Sequence, residues 1–371
     1  MVARVLVLGG YGNFGSRIAS SLAADEAVQM LVAGRTPARV KTFAAGLKGA
    51  HAPEAHALDI NGDVAAGLAR IRPDIVVDAT GPFQGRDHRV AAACIEAGCH
   101  YLDIADGRDF VAGIGALDAA ARAQGVLVVS GASSVPCLTA AVVDHYLPAF
   151  GRLESIDAGI TAAQQTNRGL ATAEGALSYI GKPFTRLSGG VPATVHGWQE
   201  MHRIDYPELG NRLFGACDVP DLALFPTRYP SLGELRFAAG HETAPVHLGL
   251  WALSWLVRAG LLRNPARHAA ALLRLAARMD RFGSGRSGFH MILSGQDRAG
   301  RAIEKRFFLV ARFGHGPFIP CAPAVILAAR LARGEIARRG AMPCLDLISL
   351  ADYLRPLAAF DIRIHADPVE G

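Results

Sequence analysis

The sequence predicts an α/β protein with two domains, and three observations lead to this prediction. Short apolar runs alternate with helical stretches through residues 1–133, as in a parallel, doubly wound sheet. A glycine-rich turn follows the first apolar run. Beyond residue 133 the strict alternation is lost, and 371 residues are many for one core. We therefore expect one domain at 1–133 and a second at 134–371.

The glycine turn lies between a predicted buried strand, Val5–Leu8, and a predicted helix, Ser16–Ala24. Its pattern Gly10-x-Gly12-x-x-Gly15 is the dinucleotide-binding fingerprint of a Rossmann domain, in which glycines permit a tight turn and close approach of a pyrophosphate. The N-terminus of the following helix offers free N–H groups to the phosphates. The predicted cofactor-binding residues of this turn are Gly9, Gly10, Tyr11, Gly12, Asn13, Phe14 and Gly15.

The end of the second predicted strand, Gln29–Gly34, bears on which dinucleotide is bound. An NAD site places an acidic residue there for the ribose 2′-hydroxyl, but this chain continues with Arg35 and Thr36. A guanidinium group suits the 2′-phosphate of NADP, so the sequence predicts NADP(H) as the cofactor.

The ends of later strands are expected to complete the cofactor site, because ligands of such sheets bind outside the carboxyl ends of the strands. After the third strand, Ala55–Leu58, Asp59 either lies beside the adenine or caps the next helix. The loop after the fourth strand is expected beside the nicotinamide. The predicted cofactor-binding residues of these strand ends are Asp59, Ile60, Thr80, Gly81, Pro82, Phe83, Gly131 and Ala132.

Three further segments resemble the saccharopine dehydrogenase-like oxidoreductase family. They are Ala79-Thr-Gly-Pro-Phe83, Cys94-Ile-Glu-Ala-Gly-Cys-His-Tyr-Leu-Asp-Ile-Ala-Asp106 and Val129-Ser-Gly-Ala-Ser-Ser-Val-Pro136, together with the glycine turn. The resemblance implies a Rossmann domain joined to an α+β domain, whose mixed sheet binds substrate and often forms dimer contacts. It also implies that a helix at about 321–335 packs back on the Rossmann domain. A homodimer is therefore expected.

The second domain is predicted to contain a strand at 153–161, helices at 172–180, 245–262 and 265–281, and a hairpin of strands at 288–297 and 302–313. Polar loops are predicted between residues 181 and 242. Acids and anion-binding groups in these loops are the candidates for proton transfer and substrate binding. The predicted catalytic residues are His202, Tyr206, Arg228, Tyr229 and His241, with Arg168 and Lys182 as further anion-binding candidates.

Composition excludes several other classes. The net charge of +5 is not gathered in Lys/Arg blocks with interleaved aromatic residues, so no nucleic-acid partner is expected. The six cysteines form no CxxC pair and have no histidines at metal-ligand spacing, which predicts a reduced cytoplasmic protein without a metal site. The apolar run 248–257 is too short to cross a membrane. A buried helix, a dimer interface or a wall of a substrate cavity is expected there in preference to membrane attachment.

These observations predict an NADP(H)-dependent oxidoreductase that acts on a C=N or C=O group of a small molecule. One alternative is a reductase of C=C bonds in a hydrophobic, lipid-like substrate, suggested by the apolar segment at 248–262. The other is a non-catalytic NADP-binding sensor that has kept the Rossmann domain.

Overall fold

The computed structural model describes residues 2–166 and 169–369. The chain divides into two compact units, one made of Met1–Cys137 and Phe318–Ile348, the other of Leu138–Pro317 and Ser349–Gly371. The first unit thus runs slightly beyond the expected boundary at residue 133 and includes a segment from far along the chain.

In chain order, the strands are β1 (Ala3–Leu8), β2 (Val28–Gly34), β3 (Glu54–Ala57), β4 (Ile75–Asp78), β5 (His100–Asp103), β6 (Leu127–Ser130), β7 (Arg152–Ala162), β8 (Pro183–Ser188), β9 (Val191–His196), β10 (His202–Tyr206), β11 (Gly210–Ala216), β12 (Glu234–His241), β13 (Ser287–Gln296), β14 (Ala302–Ala311), β15 (Gly340–Pro343) and β16 (Ile362–Ala366). The α-helices are α1 (Asn13–Ala23), α2 (Pro37–Gly46), α3 (Val64–Ile71), α4 (Arg89–Glu96), α5 (Arg108–Gly113), α6 (Asp118–Ala123), α7 (Thr139–Tyr146), α8 (Leu170–Tyr179), α9 (Asp221–Arg228), α10 (Ala244–Arg258), α11 (Ala269–Ala277), α12 (Ala322–Ala332) and α13 (Leu350–Leu354).

The first unit contains a seven-stranded sheet in the order β15-β6-β5-β4-β1-β2-β3, and its neighbouring strands are parallel. The predicted parallel sheet is confirmed. Continuous apolar runs such as Val5–Leu8 form its central strands because both faces are covered. In the register, Leu8 lies opposite Asp78, which lies opposite Asp103, so β1, β4 and β5 end at the same level.

Helices on the first unit's sheet bury a core that includes Leu6, Leu31, Val76, Tyr101 and Val128. Helix α12 packs against α1 and the central strands of this sheet. Its inward side chains, among them Leu327 and Leu331, are buried. The unit therefore closes with residues that lie some 300 positions after its first strand.

The second unit contains a seven-stranded mixed sheet in the order β10-β11-β12-β7-β13-β14-β16. Strands β7 and β12 are parallel, and the other described pairs of this sheet are antiparallel. A separate hairpin joins β8 and β9. The predicted α+β architecture with a mixed sheet is confirmed.

The prediction of polar loops between 181 and 242 is wrong. This segment forms β8 to β12 and α9. In β10 the inward positions His202, Ile204 and Tyr206 alternate with the exposed Arg203 and Asp205. Because polar residues occupy inward as well as outward positions, the period-two pattern of the strand is hidden in the sequence.

Candidate functional site

The glycine turn joins β1 to α1 where the strand order of the parallel sheet reverses, between β1 and β4. Gly9 has φ of +71°, and a Cβ atom there would lie 2.9 Å from the Ala79 carbonyl oxygen. A Cβ at Gly15 would lie 2.2 Å from the Gly9 carbonyl oxygen. Side chains at these two positions would therefore displace backbone, which is why the turn requires glycine.

The N-terminus of α1 suits a phosphate. Gly12 is the N-cap residue, it provides no side-chain cap, and the first turn contains no acidic residue. The first backbone N–H groups of a helix have no partner within it, so an anion can accept from them. Arg17 lies one turn along and donates to the Asn13 side-chain oxygen at 2.8 Å, which adds a positive charge beside this terminus.

The end of β2 presents two arginines. Arg35 is exposed directly after the strand, and Arg39 lies one turn into α2 with its guanidinium 4.6 Å from the centre of the Tyr11 ring. Tyr11 in turn covers Gly34, where a Cβ would lie 2.3 Å from the ring. Helix α2 has no acidic residue in its first turn. The surface after β2 is therefore cationic, with an aromatic ring beside it.

Arg39 was not among the predicted residues. Its spacing of four residues from Arg35 is a signal in the sequence that both lie near the first turn of one helix.

Asp59 and Ile60 follow β3, the edge strand of the sheet. The Asp59 carboxylate accepts from the Asn61 backbone N–H at 3.1 Å. The alternative in which Asp59 caps the next helix is wrong, because Asp63 caps α3 by accepting from the Ala66 N–H at 2.9 Å. The predicted role of Asp59 and Ile60 in cofactor binding stays a prediction.

The loop Thr80-Gly81-Pro82-Phe83 after β4 is held by Arg86. This guanidinium donates to the Thr80 hydroxyl at 3.1 Å and to the buried Asp78 carboxylate at 3.0 Å, and it lies 4.8 Å from the centre of the Phe83 ring. Thr80 also hydrogen-bonds through its hydroxyl to Asp78. A charge-assisted network with a buried carboxylate fixes the loop strongly. Arg86 was not among the predicted residues.

Asp103 joins the ends of β5 and β6. Its buried carboxylate accepts from the Ala105 N–H at 2.9 Å, the Ser130 hydroxyl at 3.0 Å and the Gly131 N–H at 2.8 Å. Burial raises the pKa of Asp103 to about 7, against the effect of these three hydrogen bonds. The carboxyl group thereby positions Gly131 and the adjoining Ala132, the last two predicted cofactor-binding residues.

In the second unit, His202 and Tyr206 lie on β10 against the Phe214 ring. The Tyr206 hydroxyl is 2.6 Å from Nδ1 of His290, whose Nε2 is 4.0 Å from the Asp157 carboxylate. Burial lowers the pKa of His290, and its ring proton belongs on the nitrogen that faces Asp157, so Tyr206 donates to Nδ1. Burial also raises the pKa of Tyr206 well above its usual value.

Arg228 and Tyr229 lie at the end of α9 and share the carboxylate of Asp144, on α7. Arg228 donates to one Asp144 oxygen at 2.7 Å, and the Tyr229 hydroxyl donates to the other at 2.8 Å. Burial, followed by the charge of Asp144, raises the pKa of Tyr229 above its usual value. Both side chains are thus engaged in one internal network.

His241 ends β12, next to the end of the parallel strand β7. Its Nδ1 accepts from the Thr243 backbone N–H at 3.3 Å, and the Thr243 hydroxyl donates to Gln164 at 3.0 Å. Since a backbone N–H can only donate, the ring proton of neutral His241 lies on Nε2. Glu242 links the two strand ends further by accepting from the Gln164 N–H at 2.8 Å.

The five predicted catalytic residues therefore fall into three separate groups of contacts. His202 and Tyr206 share an aromatic cluster, Arg228 and Tyr229 share Asp144, and His241 belongs to the loop edge beyond β7 and β12. Arg168 lies outside the described residues. Within the described parts of the chain, no group of three or more His, Cys, Asp or Glu residues is placed to hold a metal ion.

Residues 5–163 match the family model of the saccharopine dehydrogenase NADP binding domain. The matched segment contains the glycine turn, Arg35, the Thr80 loop and Asp103. No curated protein sequence matches the chain.

Solved structures of dehydrogenases match this chain. The apo form of saccharopine dehydrogenase (L-Glu forming) from Saccharomyces cerevisiae is similar at 14% sequence identity and a TM-score of 0.67, covering 99% of this chain and 100% of its own. An amine dehydrogenase from Mycobacterium smegmatis is 11% identical with a TM-score of 0.44, covering 100% of this chain and 97% of its own. The likeness to the yeast enzyme concerns the fold alone.

Proposed function

We propose that this chain, a saccharopine dehydrogenase-like oxidoreductase that binds NADP(H), transfers hydride between the cofactor and a C=N or C=O group of a small molecule. The observation that carries the proposal is the common edge of the parallel sheet. The glycine turn, the Thr80 loop and the Asp103–Gly131 contact all follow strands that end at this edge. In doubly wound sheets this is the edge where ligands bind.

The glycine turn and the N-terminus of α1, which lie at this edge, suit the phosphates of the cofactor. The α1 N-terminus lacks both a side-chain cap and an acidic residue, so its N–H groups are available to a pyrophosphate. At Gly12 an added Cβ would meet protein only at the Gly9 carbonyl oxygen, 3.0 Å away, which leaves its other side for the ligand. Arg35 would hold the 2′-phosphate. Arg39, whose guanidinium stacks on the Tyr11 ring, would lie beside the adenine of the cofactor.

The nicotinamide would lie at the Thr80 loop, whose shape Arg86 and Asp78 maintain. When bound, the cofactor supplies or accepts the hydride. The protein must then orient the acceptor carbon and supply one proton. Asp103 acts as a positioning residue in this proposal, because its engaged oxygen keeps Gly131 at the sheet edge.

Of the predicted acids, we propose His241 as the proton donor, acting in its protonated, imidazolium form. In that form Nδ1 would donate to the Thr243 hydroxyl oxygen, 3.3 Å away, and the Nε2 proton would pass to the substrate, which leaves a neutral ring. His241 lies at the end of the parallel pair β7 and β12. The Tyr206 hydroxyl donates a hydrogen bond to His290 inside an aromatic cluster, so its role is structural in this scheme. Arg228 and Tyr229 are likewise bound to Asp144.

The test is NADPH oxidation, measured by absorbance, with panels of imines formed from 2-oxo acids and amines, of ketones, and of enoyl thioesters. Turnover of an imine or ketone with NADPH preferred over NADH is expected. Turnover of enoyl thioesters alone would contradict the C=N or C=O assignment, and cofactor binding without turnover in any panel would favour the sensor alternative.

His241→Gln, compared with Tyr206→Phe, tests the proton donor. His241→Gln is expected to lower kcat about 100-fold or more while NADPH affinity is retained. The reverse ranking of the two variants would transfer the role to Tyr206.

A further inference from the structure

Residues 244–282 form a helical surface on the second unit, which we call the α10–α11 surface. It consists of α10, a short 3-10 helix at Pro265–His268, and α11. One side of it packs inward, where Leu253 and Val257 contact a core cluster that contains Trp198. The expectation that a buried helix forms at this apolar run is wrong, because Leu248, Trp255 and Leu256 are exposed.

The outer side of the α10–α11 surface is apolar and exposed. Along α10 the outward positions recur at helical spacing and include Leu248, Ala252, Trp255 and Ala259. The exposed fractions of its large side chains are 42% for Leu248, 45% for Trp255, 46% for Leu256, 76% for Leu261, 57% for Leu275 and 63% for Phe282. Leu248, Ala252 and Trp255 thus form an exposed apolar stripe along α10, and a stripe of this kind marks an interaction surface.

The charges on the same surface are mostly positive. Between residues 244 and 282 there are six arginines, Arg258, Arg263, Arg267, Arg274, Arg278 and Arg281, and a single acidic residue, Asp280, whose carboxylate accepts from the Gln164 side chain at 2.7 Å. The contacts these arginines make are with neutral groups, such as the Gln199 side-chain oxygen for Arg258 and the Ala270 carbonyl for Arg274. Among the described residues, none of these arginines forms an ion pair with a carboxylate.

We propose that the α10–α11 surface docks on the surface of an anionic lipid bilayer. Exposed leucines and tryptophans enter the boundary between headgroups and acyl chains, while arginines bind lipid phosphates. None of the helices in the described part of the chain has the length and apolar character needed to cross a membrane. The 15 residues of α10 span about 22 Å. The helix would lie parallel to the membrane surface, with its outward side facing the acyl chains.

Charge distinguishes the bilayer from a second copy of the chain. In a twofold interface the same patch meets itself, which would bring the six arginines of each copy together with only one acidic residue, Asp280, on each. A bilayer that contains anionic lipid supplies the missing negative charge.

Vesicle sedimentation tests the proposal. The full-length protein is incubated with phosphatidylcholine vesicles, with and without phosphatidylglycerol, at low and high salt. Binding is expected to the anionic vesicles, about 10-fold weaker binding to the neutral ones, and a decrease with salt. Absence of binding to anionic vesicles would overturn the proposal.

Variants separate the two contributions to binding. Trp255→Glu and the double variant Arg263→Glu, Arg267→Glu are each expected to weaken binding about 10-fold or more. Matched controls on the same unit are Phe313→Glu, at a side chain that is 74% exposed, and Arg298→Glu. The controls should bind as the unchanged protein does, and an equal loss in them would contradict the assignment to this surface.

Folding of each variant is checked by thermal unfolding and NADPH binding. If Trp255→Glu does not fold, Leu261→Ser replaces it, since that side chain is exposed in the turn after α10. Size-exclusion chromatography is run in parallel. A dimer that Trp255→Glu dissociates, without vesicle binding by either form, would replace the bilayer by a second copy as the partner.

Discussion

The two seven-stranded sheets of this protein organise polar residues in different ways. In the first unit the strands are parallel, so the loops after β1, β2, β4, β5 and β6 all emerge at one edge. In the second unit only β7 and β12 run parallel among the described pairs, and the antiparallel partners send their loops to opposite ends. Polar side chains there are distributed over both faces and both ends.

Because of this difference, the place of a residue in the sequence predicts its place in the structure better for the parallel sheet than for the mixed sheet. In a parallel sheet, any residue just after a strand is close to the ligand edge. In the mixed sheet His202 and Tyr206 belong to one strand, yet they lie in a different network from His241, which ends one of the parallel strands. Substitutions in each sheet can test whether cofactor binding belongs to the first sheet alone.

The largest effect is expected from Gly12→Val. A branched side chain at the N-cap of α1 would occupy the place of the pyrophosphate, and NADPH binding should weaken about 1000-fold, or about 4 kcal/mol. Fluorescence titration measures it, with thermal unfolding as the fold check. Gly46→Val, where an added Cβ meets nothing within 4 Å, is the control. Undiminished affinity in Gly12→Val would refute the fingerprint interpretation.

The next effect concerns His247, whose buried ring lies beside Trp198 in the second unit. Burial, and then the nearby His202, lowers the pKa of His247 to about 4. The unfolded chain therefore takes up a proton near pH 6.5 that the folded chain does not, so this contribution to stability is complete above pH 6.5 and declines as the pH falls toward 4. The loss is about 3 kcal/mol.

Urea unfolding at a series of pH values measures this dependence. His247→Phe should flatten the profile between pH 6.5 and 4, whereas the exposed His268→Phe should leave it unchanged. An unaltered profile in His247→Phe would assign the pH dependence to other groups.

Arg35→Asp is expected to reduce NADPH affinity about 100-fold and NADH affinity little, because one charge-assisted contact to a phosphate contributes about 1.5–3 kcal/mol. Isothermal titration with both cofactors measures the difference. Arg338→Asp, an exposed arginine elsewhere in the first unit, is the control. An equal loss for both cofactors would remove Arg35 from the 2′-phosphate site.

The smallest effect is expected from Tyr206→Phe. It removes one hydrogen bond and leaves Nδ1 of His290 without a donor, which should lower the free energy of unfolding by about 1–2 kcal/mol. NADPH affinity should not change, since the residue belongs to the second sheet. Chemical denaturation and a cofactor titration measure both quantities, and a weakened cofactor affinity would contradict the separation between the two sheets.

Much of the first unit could be predicted from sequence because its determinants are local. The glycine turn, the apolar strands and the absence of an acid after β2 each depend on neighbouring residues. The contacts of Arg86 with Asp78 and of Arg39 with Tyr11 could not be predicted in this way, since they depend on where side chains meet after folding.

The second unit was harder to predict from the sequence, because more of its structure depends on where side chains meet after folding. The strands β8 to β12 carry polar residues at inward positions, and these side chains are accommodated by contacts with other elements. His202 in β10 stacks on Phe214 in β11, and Arg212 in β11 donates to the Glu242 carbonyl after β12. The sequence of α10 likewise shows an apolar helix but does not state which side is covered.

The sequence by itself therefore determined the dinucleotide fingerprint, the parallel sheet and the cationic end of β2, because short-range backbone and periodicity rules govern these features. The tertiary structure decided the return of α12 to the first unit, the three groups of contacts in the second unit and the exposure of Trp255 and Leu261. Those outcomes depend on contacts between residues far apart in the chain, where burial and pairing are set only when the elements pack together.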